Sequence, residues 1–183
     1  IVVLNPKGGA GKTTLAFNLA GYLASTGRRV ALVDMDEEAF SKHWLVQRPA
    51  EIPEIHGVSD FPYIPGQPLN ATIPLPANID FAVVDTPAGV SREDLADFIV
   101  GSHAIIVPVM PSEIDIHSAI RLIADLLLVA RGSRDNKRLG VIANRVKERT
   151  HAANHLMTFL NRLSIPVIGV TRDSQNYVNA ARE

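Results

Sequence analysis

Positions 5–14 read Asn-Pro-Lys-Gly-Gly-Ala-Gly-Lys-Thr-Thr, and this stretch decides the fold. Four apolar residues, 1–4, precede it. Small or apolar residues follow it at helical spacing: Ala16, Leu19, Ala20, Leu23 and Ala24. The pattern predicts a strand, a glycine-rich turn and a helix. The inward-facing N–H groups of such a turn and the positive end of the helix dipole together form a binding site for phosphate.

The turn carries two lysines. Lys12 supplies a positive charge for the outer phosphates of a nucleotide, and Thr13 supplies a hydroxyl for Mg²⁺. The usual pattern has glycine five residues before Gly11, whereas this chain has Pro6 there and Lys7 beside it. The residues predicted to bind the nucleotide form one run: Lys7, Gly8, Gly9, Ala10, Gly11, Lys12, Thr13 and Thr14.

The composition indicates one domain over residues 1–183, because 46% of the residues are hydrophobic and 20% are charged. The chain contains no cysteine, which excludes disulfides, cysteine nucleophiles and cysteine-bound iron–sulfur clusters. Apolar runs fall short of a membrane span of about 20 residues, and no signal peptide precedes Ile1, so we expect a cytoplasmic protein. Both termini are expected to be incomplete, because the initiator Met is missing and the chain stops inside a predicted helix that starts at Tyr177.

Two carboxylates follow the second predicted strand, residues 29–33. They are Asp34 and Asp36. In open α/β sheets, ligands bind at the carboxyl ends of the strands. These two side chains are therefore candidates to hold Mg²⁺ through water or to orient an attacking water molecule. The alternative is that they are ordinary acidic residues of a turn.

A further apolar strand, residues 79–84, ends at Asp85 and continues into Thr-Pro-Ala-Gly at positions 86–89. A carboxylate at this place can hold Mg²⁺ through its water shell. Gly89 can let the following loop move when the terminal phosphate leaves.

An asparagine ends the strand predicted at residues 139–143. The amide of Asn144 can bond the edge of adenine, because it offers both a donor and an acceptor. A capping role for Asn144 is the alternative interpretation.

Strands and helices alternate throughout, which predicts an α/β fold with a mostly parallel twisted sheet and helices on both faces. Residues 49–78 contain seven prolines and predict an extended connection with one short strand. Residues 112–115 read Ser-Glu-Ile-Asp and can form a capping box at the start of a helix.

The run 7–14, the Asp34–Asp36 pair and the run 85–89 together resemble the ParA/MinD family of P-loop ATPases with a deviant Walker A motif, and most of all its ParA-type partition proteins. The resemblance covers essentially the whole chain. It implies a P-loop NTPase fold in three α/β/α layers that binds ATP or ADP with Mg²⁺. Glu37 and Glu38 replace the Pro-Gln that the family usually has after the second Asp.

The resemblance also implies roles for single residues. Lys7 would reach the partner's nucleotide across an ATP-dependent homodimer, and Lys12 would stabilise charge on the transferring phosphoryl group. Asp36 would orient the water. Thr13 and Asp85 would hold Mg²⁺ with Asp34 beside them, and Asn144 would contact the base.

The implied function is a slow ATPase switch that partitions plasmid or chromosomal DNA. It would act on the nucleoid through non-specific DNA binding and a stimulating ParB-like partner. Residues 101–183 carry 11 Lys and Arg against 7 Asp and Glu, and such a basic half can bind phosphates or can simply be a solvated surface. The DNA-contact candidates are Arg131, Arg134, Lys137, Arg138, Arg145, Lys147 and Arg149.

Two other functions stay open. A MinD-like ATPase would act at a membrane surface, which requires a C-terminal amphipathic helix that the sequence given does not contain. A P-loop ligase of the dethiobiotin synthetase kind would act on a small carboxylic acid. Lys7 and the run 85–89 argue against the ligase.

Overall fold

The computed structural model describes residues 1–131 and 138–177, in which strands and helices alternate. The strands are β1 (Val2–Val3), β2 (Val30–Asp34), β3 (His56–Val58), β4 (Phe81–Asp85), β5 (Ala104–Val109), β6 (Arg138–Val146) and β7 (Val167–Arg172). The helices are α1 (Lys12–Ser25), α2 (Phe40–Val46), α3 (Leu69–Thr72), α4 (Leu95–Val100), α5 (Glu113–Arg131) and α6 (His151–Leu160). Within the two described ranges, no helix is both long and apolar enough to cross a membrane.

The described strands form one sheet in the order β3-β2-β4-β1-β5-β6-β7, and every neighbouring pair is parallel. The predicted α/β fold with a parallel sheet is therefore confirmed. The short strand β1 lies between β4 and β5, so the glycine-rich turn leaves the sheet near its centre. The chain winds to one side of β1 through β2 and to the other side through β5, and such a reversal opens a ligand crevice at the carboxyl edge.

Helices cover both faces of the sheet, which gives the predicted three layers. Val3 and Leu32 face one layer, where they pack with Phe17 of α1. Val2 faces the opposite layer, because successive side chains of a strand point to opposite faces. The two-residue strand β1 thus contributes one side chain to each half of the core. The second half also contains large buried residues of α4, α5 and α6: Phe98, Ile116, Leu126 and Leu156.

The proline-rich segment forms the one predicted short strand, β3, and also the short helix α3, which the sequence did not predict. Asp97 of α4 is buried and anchors this segment. Its Oδ2 accepts hydrogen bonds from the Tyr63 hydroxyl and from Gly66 N, both at 2.8 Å. The helix predicted at the C-terminal end of the chain lies outside the described residues, apart from its first residue.

Gly101, the residue after α4, packs closely against the backbone of α3. A Cβ at this position would lie 2.5 Å from Leu69 N and 2.7 Å from Asn70 N, both backbone atoms of α3. Because backbone cannot yield as a flexible side chain does, we expect Gly101→Ala to lower the free energy of unfolding by about 1–3 kcal/mol in urea denaturation.

Gly169→Ala is the matched control, since a Cβ on this glycine of β7 would meet nothing within 4 Å. Its free energy of unfolding is expected to stay within about 0.5 kcal/mol of the parent value. Equal losses in the two variants would contradict the close approach of Gly101 to α3.

Candidate functional site

The glycine-rich turn is braced by Asn5, a residue that the sequence analysis did not single out. Asn5 is buried. Its Nδ2 donates a hydrogen bond to Pro108 O at 2.8 Å, and its Oδ1 accepts one from Lys7 N at 2.9 Å. The side chain thereby ties the start of the turn to β5. The only signal in the sequence was a polar residue directly after an apolar strand.

The other end of the turn is braced by Asn144. Asn144 Nδ2 donates to Ala10 O at 2.8 Å, and Asn144 Oδ1 accepts from Thr171 Oγ1 at 2.5 Å. Gly11 has a φ of 82°, and a Cβ there would lie 2.3 Å from Asn144 Nδ2. Position 11 therefore requires glycine, and Asn144 holds the turn instead of capping a helix.

Lys12 begins α1 and is 5% exposed. Burial lowers the pKa of its ammonium group, while the negative charges of Asp85 and Asp36 act in the opposite direction. A buried cation is costly unless an anion accompanies it. The N-terminus of α1 adds a positive dipole end at the same place, so the local field favours a bound anion such as phosphate.

Asp34 and Asp85 end neighbouring strands in register, and both are buried. Burial raises the pKa of Asp34, and it raises that of Asp85 to about 6. Ser41 Oγ donates to Asp85 Oδ2 at 2.9 Å, and Lys42 N donates to Asp34 Oδ2 at 2.8 Å. Sequence reasoning missed Ser41, because its place beside Asp85 depends on the path of α2.

Asp85 Oδ1 is buried and finds no hydrogen-bond partner among the described residues. The Thr13 hydroxyl lies close enough to lower the pKa of this carboxyl group, against the effect of burial. Mg²⁺ in nucleotide sites binds one or two protein oxygens and completes its shell with water and phosphate. Thr13 and Asp85 fit that requirement, with Asp34 beside them.

A cavity of about 1150 Å³ opens above the turn, which is ample for a nucleotide. The predicted residues that line it are Gly8, Gly9, Gly11, Lys12, Thr13, Thr14, Asp36 and Asn144. Asp36 Oδ1 accepts from Glu38 N at 3.1 Å. Its carboxylate therefore retains free lone pairs at the cavity wall, where it can meet a water molecule.

Lys7 lies apart from this cavity lining. Its Nζ is 2.7 Å from Oδ1 of Asp115, whose side chain is 4% exposed. Asp115 belongs to the predicted capping box of α5, of which one half forms, because Asp115 N–H donates to Ser112 Oγ at 3.2 Å. The other half does not form: Asp115 Oδ2 accepts from the Ser112 hydroxyl, and Ser112 N donates to Met110 O at 2.8 Å. Lys7 is thus held within its own chain.

The basic candidates for DNA binding are only partly described. Arg145 lines the cavity and forms an ion pair with Asp173, with Nε 3.3 Å from Oδ1. Lys147 and Arg149 are exposed after β6. The side chains of the remaining candidates lie outside the described residues: Arg131, Arg134, Lys137 and Arg138.

The whole chain, residues 1–183, matches CbiA, the CobQ/CobB/MinD/ParA nucleotide-binding domain. It is 29% identical to the maintenance of carboxysome distribution protein A of Halothiobacillus neapolitanus over 100% of this chain and 83% of that protein. It is 30% identical to the chromosome-partitioning ATPase Soj of Thermus thermophilus over 85% of this chain and 73% of that protein. A plasmid partition protein of Borrelia burgdorferi bound to AMPPNP has a similar fold, with a TM-score of 0.78 and 18% identity over 100% of this chain and 88% of that one.

The buried carboxylate of Asp85 generates a prediction about stability. Because burial raises its pKa from 3.8 to about 6, the folded state binds a proton more tightly than the unfolded state. The contribution of Asp85 to the stability of the nucleotide-free protein therefore falls as the pH rises from about 4 to about 6. Asp85→Asn removes this penalty and is expected to raise the melting temperature at pH 7.5 by roughly 3–8 °C.

The gain from Asp85→Asn is expected to be mostly lost at pH 4 and to vanish near pH 3, where Asp85 of the parent protein is largely neutral in both the folded and the unfolded state. Mg²⁺ with ATP is expected to stabilise the parent protein much more than the variant. Differential scanning fluorimetry at several pH values measures both effects. A gain that is the same at pH 4 and pH 7.5 would contradict the assignment to the carboxylate charge.

Proposed function

The chain belongs to the CobQ/CobB/MinD/ParA family of nucleotide-binding domains, and from this we propose that it is a Mg²⁺-ATP-dependent ATPase switch that partitions or positions a cargo. The observation that carries the proposal is that buried Lys12 lies within electrostatic range of Asp85, whose Oδ1 has no hydrogen-bond partner among the described residues. A cation for phosphate and a carboxylate for Mg²⁺ meet there at the carboxyl edge of a parallel sheet. Relatives named for chromosome partitioning and for carboxysome distribution support the cellular role.

In the proposed reaction, the phosphates of ATP lie along residues 8–14, and Lys12 stabilises the charge that develops on the transferring phosphoryl group. Thr13 and Asp85 would hold Mg²⁺, which supplies further neutralisation of that charge. Asp36 would orient the attacking water. Since the protein supplies only position and electrostatics, and the Asp36 carboxylate accepts a single hydrogen bond, from Glu38 N, among the described residues, we expect slow hydrolysis until a ParB-like partner fixes the site.

We further propose that the ATP form is a homodimer in which Lys7 reaches the phosphates of the partner. In the chain described here, Lys7 is bound to Asp115. Dimerisation therefore requires Lys7 to leave the Asp115 carboxylate and to bind the phosphates of the partner's nucleotide. A groove of about 650 Å³ lies next to this ion pair and includes Pro6 and Ile114. Ile114 is 72% exposed, and a second copy would cover it.

DNA is the proposed surface on which the switch works. Lys147 and Arg149 are exposed, and contacts of this kind to phosphates are weak singly and sensitive to salt. A dimer presents two copies of the basic surface, so its affinity for DNA exceeds that of the monomer by an avidity effect. This links the nucleotide state to DNA binding without a change in the basic surface itself.

Non-specific duplex DNA tests the proposal. We expect binding with Mg²⁺-ATP, much weaker binding with ADP, and a steep loss of affinity between 50 and 200 mM salt. Lys7→Gln is expected to bind ATP but to lose ATP-dependent DNA binding. Fluorescence anisotropy with a labelled duplex measures all three.

The outcomes separate the parts of the proposal. Absence of DNA binding in every nucleotide state overturns the DNA role and leaves the ATPase. Binding to anionic vesicles with ATP, in place of DNA, would indicate a MinD-like membrane role. Formation of a new amide from a carboxylic acid and ATP would indicate the ligase.

The ion pair between Lys7 and Asp115 generates a prediction about assembly. Asp115→Asn keeps an acceptor for the Ser112 hydroxyl but removes the charge that holds Lys7. We expect the dissociation constant of the dimer formed with AMPPNP to fall by about tenfold, since a partly buried ion pair no longer has to be broken. Sedimentation velocity measures the change.

Asp80→Asn is the matched control, because it also removes the carboxylate of an ion pair. Asp80 pairs with Arg29 at 2.6 Å and lines neither the groove nor the nucleotide cavity. The dissociation constant of the Asp80→Asn dimer is expected to equal that of the parent. If Asp115→Asn dimerises no more tightly than Asp80→Asn, the ion pair does not restrain assembly.

A further inference from the structure

We propose that Thr171 is a positioning residue for nucleobase selection, acting through the amide of Asn144. Its hydroxyl would hold that amide in the orientation that accepts adenine and rejects guanine. The proposal rests on the nucleotide binding proposed above. Nothing in the sequence pattern singled out Thr171, which sits in a strand 27 residues away from its partner.

The partners of the Thr171 hydroxyl fix the direction of its hydrogen bond. Arg145 N donates to Thr171 Oγ1 at 3.1 Å, which uses the acceptor capacity of the hydroxyl on that side. Thr171 Oγ1 is also 2.5 Å from Asn144 Oδ1. Because a carboxamide oxygen can only accept, the hydroxyl hydrogen must point to Asn144.

The local backbone explains why these groups meet. The pairing of β6 with β7 shifts register between Ala143 and Val146, and Arg145 within the shift has a φ of 52°. A non-glycine residue in this left-handed region marks a departure from regular strand geometry. The departure brings Arg145 N and the Asn144 side chain to the same hydroxyl.

The opposite end of the amide is assigned independently. Asn144 Nδ2 lies 2.8 Å from Ala10 O, and only the amino end of a carboxamide can donate to a carbonyl. One hydrogen on Nδ2 and one lone pair on Oδ1 therefore remain for a ligand. Asn144 is 7% exposed and lines the nucleotide cavity together with Thr171.

The remaining donor and acceptor match one purine better than the other. Adenine offers the 6-amino donor beside the N7 acceptor, which an asparagine amide can bond at both atoms. Guanine offers two acceptors on that edge, O6 and N7, so the amide can satisfy only one of them. If the amide turned over, it would lose both Ala10 O and the Thr171 hydroxyl, and these two contacts therefore maintain the selection.

A cycle of protein and ligand changes tests the proposal. The proteins are the parent chain, Thr171→Val and Thr171→Ser, and the ligands are ATP, 7-deaza-ATP, purine riboside triphosphate and GTP, each with Mg²⁺. In the parent, loss of N7 or of the 6-amino group is expected to weaken binding by about tenfold. In Thr171→Val each of these two losses of affinity is expected to fall below about threefold, and the preference for ATP over GTP is expected to become smaller. Thr171→Ser is expected to show the same losses and the same preference as the parent.

Thr158→Val provides a matched control, because its hydroxyl bonds Asn154 O on α6, away from the cavity. Thr158→Val is expected to lose as much affinity for each changed nucleotide as the parent does. Isothermal titration calorimetry measures the dissociation constants, and melting temperatures verify that each variant is folded.

Several results would overturn the role of Thr171. One is an equal weakening of all four nucleotides in Thr171→Val, which is what a purely structural residue produces. Another is a Thr171→Val variant that loses as much affinity for the two nucleotides with modified bases as the parent does. A parent protein that binds all four nucleotides equally refutes base selection while nucleotide binding stands, whereas a parent that binds none of them refutes the proposed function itself.

Discussion

The parallel register of the central strands is the constraint on which the rest of the structure depends. Asp34 and Asp85 are direct partners on neighbouring strands, and Val3 of β1 pairs with Asp85 on one side and with Ile106 on the other. Because the strands run the same way, all of their carboxyl ends reach one edge. Two carboxylates and the glycine-rich turn are thereby brought together at that edge. Although β1 has only two residues, it is long enough to place the glycine-rich turn, since β4 and β5 on its two sides fix its position.

The same arrangement places charge where the protein alone cannot satisfy it. Lys12, Asp34 and Asp85 are each about 5% exposed or less, and burial shifts their pKa values toward the neutral forms. Burial of such groups opposes folding. A ligand that brings phosphate and a divalent cation reverses each of these effects at once. The buried charges therefore lower the stability of the protein without ligand and raise its affinity for such a ligand, a combination that is common at functional sites.

Sequence patterns predicted the elements well, because strand, turn and helix are encoded by spacing within a few residues. The parallel sheet and the placement of the turn at its edge follow from that local information. Contacts between distant side chains were not predictable in the same way. Ser41 on Asp85, Asp115 on Lys7 and Thr171 on Asn144 each join separate elements, and no periodicity marks them. The count of basic residues in the C-terminal half could not show which of them are available for DNA either, since Arg145 is paired with Asp173 at the cavity wall.

The glycine-rich turn has two halves that are held differently, and this difference fits a switch. Ala10 is bonded by the buried amide of Asn144, which also leaves no room for a Cβ at Gly11. At the other end, Asn5 holds the backbone of Lys7, whereas the Lys7 side chain forms an ion pair with Asp115, and Pro6 O accepts from Gly89 N at 2.8 Å. Gly8 and Gly9 between them are exposed. The Lys7 side chain can thus change partners, together with the loop that contains Gly89, while the half of the turn that we propose to bind phosphate keeps its shape. Separation of the two halves would let a partner subunit sense the nucleotide without releasing it.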